Sequence, residues 1–112
     1  MSWDPQHFAA TLLRELAEKD PTAAKLAAKH RGKTATIGVV DAGDWVPLLR
    51  LSNPSGACNV MSLDVRHQNR WAPTFERGTP TMLVEQLIGP LSFTWTLWAE
   101  AADWSETSDH VH

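Results

Sequence analysis

The residues best equipped for chemistry lie in one short run, Asp64-Val65-Arg66-His67, which holds an acid, a base and a titratable imidazole. On a strand, alternation puts Asp64 and Arg66 on one face and turns His67 to the other, with Val65 and Leu63. An exposed Asp64–Arg66 ion pair is the plain expectation, worth under ~1 kcal/mol. In an apolar cavity, His67 would be a general base, or Asp64 a carboxylate tuned upward by burial. Arg66, His67, Asn69, Arg70 and Trp71 also interleave cations with an aromatic, as single-strand nucleic-acid binders do. The cluster is short, so a solvated strand edge with Trp71 tucked inward is expected.

Other candidates are weaker. Asp109-His110-Val111-His112 pairs two imidazoles at i, i+2 but lacks a shell to orient them. His7 and His30 have no Cys or acid at ligand spacing, so no metal is expected. Cys58 has no base beside it and suits a small core position. No Gly-rich phosphate loop or Ser-centred nucleophile elbow occurs, and no cofactor is implied.

The chain has 112 residues, 43% hydrophobic and 21% charged, which suits one globular α+β domain over 1–112. A net charge of −3 gives no electrostatic reason to expect a nucleic-acid partner. The opening MSWDPQHF lacks a basic and an apolar signal region, and no apolar run approaches the ~20 residues that span a bilayer. A cytoplasmic protein without stable membrane insertion is expected, and one cysteine fits that setting. Six Trp and no Tyr offer large apolar area for a core, a pocket or an interface.

Asp4-Pro5 and Asp20-Pro21 both read as helix starts, the first helix ending near Lys19 and the second running to Gly32. Strands are expected at 34–40 and 45–51, joined by a turn at Asp41–Asp44, then at 57–65 and around 69–76. Pro47 makes the second of these an edge or bulged strand, and an edge there would leave pairing with a second copy open. Thr79-Pro80 caps a helix that Gly89-Pro90 closes. Leu91, Phe93, Trp95 and Leu97 then alternate with Ser92, Thr94 and Thr96 as a last strand, and a polar tail follows from about 101. The expected architecture is a mainly antiparallel curved sheet of about five strands with helices on one face.

Three segments, HRGKTATIGVV, DAGDW and RGTPTMLVEQLIGPLSFTW, resemble the sterol carrier protein (type two) lipid-binding family, over roughly residues 5–100. The resemblance implies a non-enzymatic module that binds a lipid or another apolar small molecule between sheet and helices. Its lining would come from Leu12 and Leu16, from Met82, Leu83 and Leu87, and from Phe93, Trp95 and Leu97. Met61 and Trp71 would complete it, Met61 and Met82 adapting the walls to ligand shape. Burial of ligand at about 25 cal/mol per Å² would hold it without a fixed polar partner. Two alternatives stand beside this. One is a small cone-shaped enzyme of the polyketide-cyclase or ketosteroid-isomerase kind, with Asp64 or His67 as base. The other is a structural or partner-binding domain filled by its own tryptophans.

Overall fold

A computed structural model of the chain describes residues 5–53 and 60–102. Helix α1 (Pro5–Lys19) leads through a short 3-10 turn (Pro21–Lys25) into five strands. These are β1 (Ala27–Arg31), β2 (Thr34–Asp41), β3 (Asp44–Ser52), β4 (Met61–His67) and β5 (Arg70–Gly78). Helix α2 (Pro80–Ile88), a 3-10 turn (Ser92–Thr94) and α3 (Thr96–Ala101) follow. The strands pair in chain order, β1-β2-β3-β4-β5, each antiparallel to the next. The α+β class with an antiparallel five-stranded sheet is as expected.

One face of the sheet is apolar because alternate residues are. Ala35, Ile37 and Val39 of β2, Leu49 and Leu51 of β3, and Met61 and Leu63 of β4 are buried. Register brings them side by side: Ile37 opposite Leu49, Ala35 opposite Leu51, Leu51 opposite Leu63. Phe8, Leu12 and Leu16 of α1 join the same core, with Leu83, Val84 and Leu87 of α2. Fully burying each such side chain contributes about 1.5–3 kcal/mol.

Local signals explain the turns. Thr79 accepts from the Met82 N–H and Pro80 fills the first helical position, as the sequence predicts for α2. Ala42 and Gly43 both have positive φ in the β2–β3 hairpin, and Gln68 and Asn69 do so between β4 and β5.

Three expectations need correction. Asp20 does cap a turn through Thr22 N–H, but the helix stops at Lys25. Residues 27–31 offer no apolar stripe for a helix to bury, and pair with β2 as an edge strand instead. Positive-φ Gly32, expected to end a helix, turns a hairpin. Leu91–Leu97 is not a strand. Burial there follows Trp95, Ala99 and Ala102 with half-buried Leu91 before them, a helical spacing hidden beneath the alternation. Strand β1 thus supplies the fifth strand that Leu91–Leu97 was expected to supply. Finally, β3 is central rather than an edge, so it offers no free side to a second copy. Pro47 sits at a bulge, where the β2–β3 register shifts between Ile37 and Gly38.

Gly38 is required at that bulge, because a Cβ there would run into the Val46 carbonyl oxygen and the Pro47 Cα. Gly38→Ala should lower stability by about 1–3 kcal/mol, read as a shifted urea midpoint at unchanged slope. A variant within experimental error of the parent would contradict this close approach.

Candidate functional site

The Pro47 bulge has a consequence one strand further on. The β3–β4 ladder runs from Ser52–Ser62 to Leu49–Val65 and stops there. Beyond it the strands part, leaving Val46, Pro47 and Leu48 on one side and Arg66, His67, Gln68 and Asn69 on the other. Thr94 and Trp98 from the C-terminal segment reach over the gap. The result is a half-open cleft of about 350 Å³, at the small end of the range for ligand sites.

The C-terminal wall of this cleft is held by Trp95. Its side chain is fully buried, and its indole N–H donates to the Leu87 carbonyl at 2.9 Å. That carbonyl lies in the last turn of α2, where helix acceptors lack partners within the helix. Thr94 Oγ1 donates to the Leu91 carbonyl at 2.6 Å, and Ala102 N–H to the Trp98 carbonyl at 2.9 Å. Trp98 is thereby presented with 48% of its surface exposed, beside exposed Phe93 and Leu97. The cleft has an apolar wall of Val46, Pro47, Leu48 and Trp98, and a polar end with Arg66 and His67. No carboxylate lies among its described lining residues.

The residues expected to line an internal pocket are scattered over three places. Leu12, Leu16, Met61, Leu83, Leu87 and Trp95 are each 1% exposed or less. Surface of that kind leaves almost no water-sized void against them, so they form a filled core. Met82, Phe93 and Leu97 are exposed. Trp71 does not tuck inward. It lies opposite Arg66 on the sheet face away from the helices, with the Arg50 and Arg66 guanidinium groups 5.0 and 5.2 Å from its ring centroid.

Asp64 likewise finds a different partner from the one expected. Arg50, directly across the β3–β4 ladder, donates to its Oδ2 from Nε at 3.1 Å and Nη2 at 2.7 Å. This engagement removes Asp64 as a free base, and leaves His67 as the titratable group of the cleft. Among the described residues no group of three His, Cys, Asp or Glu could hold a metal. Cys58 and the Asp109–His112 run lie outside the described residues.

Val46, Leu48 and Thr94 had no signal in the sequence pointing to a site, and Trp98 had only the general one that six tryptophans offer. Pro47 had one: a residue without an N–H in a strand marks where a ladder fails. No family model matches this chain, and no curated protein or solved structure matches it.

The Arg50–Asp64 pair has side chains 36% and 15% exposed. A double-mutant cycle with Arg50→Ala and Asp64→Ala should give a coupling of about 1 kcal/mol or less in urea unfolding. A coupling several times larger would mark the pair as a structural anchor of the sheet.

Proposed function

We infer that the protein binds an amphipathic small molecule without transforming it, a lipid-like ligand with an apolar body and an anionic head. The carrying observation is the polarity of the cleft, apolar at Val46, Pro47, Leu48 and Trp98 and polar at Arg66, His67, Gln68 and Asn69. A fatty acid is the simplest molecule with that profile. Its chain would cover Trp98, Val46 and Pro47, gaining about 25 cal/mol per Å² of apolar surface removed from water. Its carboxylate would sit at the polar end, where the Arg66 guanidinium, swung off the Trp71 ring, would give it a charge-assisted hydrogen bond.

The sterol-carrier resemblance supports the ligand class. The filled core supports a different seat for the ligand, the cleft rather than the space between sheet and helices. Asp64, committed to Arg50, weakens the enzyme alternative, since His67 would have to act without a carboxylate among the described lining residues to orient it.

Native mass spectrometry of the purified protein should show a co-purifying lipid-sized adduct, and added oleate should change tryptophan fluorescence. Trp98→Ala should weaken oleate binding about tenfold through lost contact area. Arg66→Ala should weaken oleate by a comparable factor, yet leave the corresponding alcohol unaffected. Oleate affinity untouched by both substitutions would remove the cleft as the site.

A further inference from the structure

The sheet face turned away from the helices has a charge the whole chain does not. Register places Lys29, Arg31, Arg50, Arg66 and Arg77 on it, half of the ten Lys and Arg in the sequence. Among the described residues Asp64 is the one acid that register places there, and Arg50 already pairs with it; Glu76 lines the rim of the face beside Phe75. A chain of net charge −3 thus gathers a cationic surface on one side of its sheet.

The arrangement is ordered in rows. Arg31 lies opposite Thr34, Thr34 opposite Ser52, Ser52 opposite Ser62, and Ser62 opposite Arg77. One line across all five strands therefore carries three hydroxyls between two arginines, about 19 Å of hydrogen-bond donors. Phe75 stands at the β5 end of this line, 90% exposed, in a groove it shares with Ser52, Ser62 and Arg77. Its φ of 67° is unfavourable for a bulky side chain. The bulge that holds it is closed by Thr74, whose hydroxyl donates to the Leu63 carbonyl at 2.7 Å and accepts from the Glu76 N–H at 3.1 Å. A strained, fully displayed phenyl ring beside an arginine is what a surface with an apolar interior would receive.

We propose that this face docks peripherally on an anionic lipid surface. Lipid phosphates meet the Arg31–Arg77 row, and Phe75 enters the boundary between headgroups and acyl chains. The tryptophans favour this partner over single-stranded nucleic acid. Trp71 already carries two guanidinium groups, and Lys29 Nζ sits 4.5 Å from the Trp45 ring centroid. Base stacking needs a free ring face, which these cations compete for, whereas an indole with an apolar body and a polar tip suits a bilayer interface. No helix among the described residues is long and apolar enough to cross a membrane, so the contact is one of surface alone. Arg66 belongs to both this face and the cleft, which lets a lipid pass from one to the other. That link rests on the cleft binding a lipid; the docking itself does not.

The test is co-sedimentation of the full chain with vesicles, free of fatty acid, of phosphatidylcholine alone or mixed with phosphatidylserine. Binding is expected to the mixed vesicles only, and should weaken as salt rises. The triple variant Lys29→Glu, Arg31→Glu, Arg77→Glu avoids the cleft lining and should lose about a hundredfold in partitioning. Phe75→Asn tolerates the left-handed backbone, so it should fold, yet partition about tenfold less. Oleate titration of the same variants without vesicles reads the cleft separately and should be unchanged. Equal binding to neutral vesicles, or full binding by the triple variant, overturns the proposal. So does a single-stranded oligonucleotide, or a second copy of the chain, taking this face while vesicles do not.

Discussion

Much of the molecule hangs on one buried hydrogen bond, from the Trp95 indole to the Leu87 carbonyl. Trp95 is the largest of the fully buried side chains, and its single donor meets an acceptor that the end of α2 leaves open. The bond resolves two problems at once: a polar atom in the core and an unsatisfied helix end. It also fixes where the chain goes after Gly89, and with it the position of Thr94 and Trp98 over the gap between β3 and β4. The cleft therefore depends on a residue that does not line it.

The sheet shows a comparable economy. The departure from regular pairing at Ile37–Gly38, with Pro47 opposite, lies just where β3 and β4 cease to pair. An unbroken ladder there would close the gap with backbone hydrogen bonds. The bulge is tolerated because Gly38 has no Cβ, so one small residue on β2 is coupled to an opening two strands away.

Much of this was legible in the sequence, and the misses share a cause. Alternation in β2, β3 and β4 identified strands, and Thr79-Pro80 identified α2, because these signals act locally. At residues 27–31 and 91–97 the local pattern is outweighed by what the neighbourhood can bury. The alanines and Lys29 gain more from the free edge of β2 than from a helix with almost nothing to cover. In Leu91–Leu97 the alternation was real, but one of its members, Trp95, was large enough to set the phase alone. The candidate site was mostly illegible, since Val46 and Trp98 are some fifty residues apart and meet only through the fold. The same holds for the Arg31–Arg77 row: net charge describes a composition, whereas a patch exists only once register is known.

The placement of β1 and β5 at the rims has a consequence for the behaviour of the protein in concentrated solution. An open sheet has two rows of unpaired backbone groups, and these invite other chains to add strands. Here β1 is short, exposed throughout, and carries Lys29, His30 and Arg31. Strand β5 is interrupted by Pro73, which cannot donate, and by the outward kink at Phe75. One rim repels and the other is misshapen, so neither templates the growth of intermolecular sheet. The kink that displays an aromatic ring to the surroundings is also what keeps the chain from polymerising along that side.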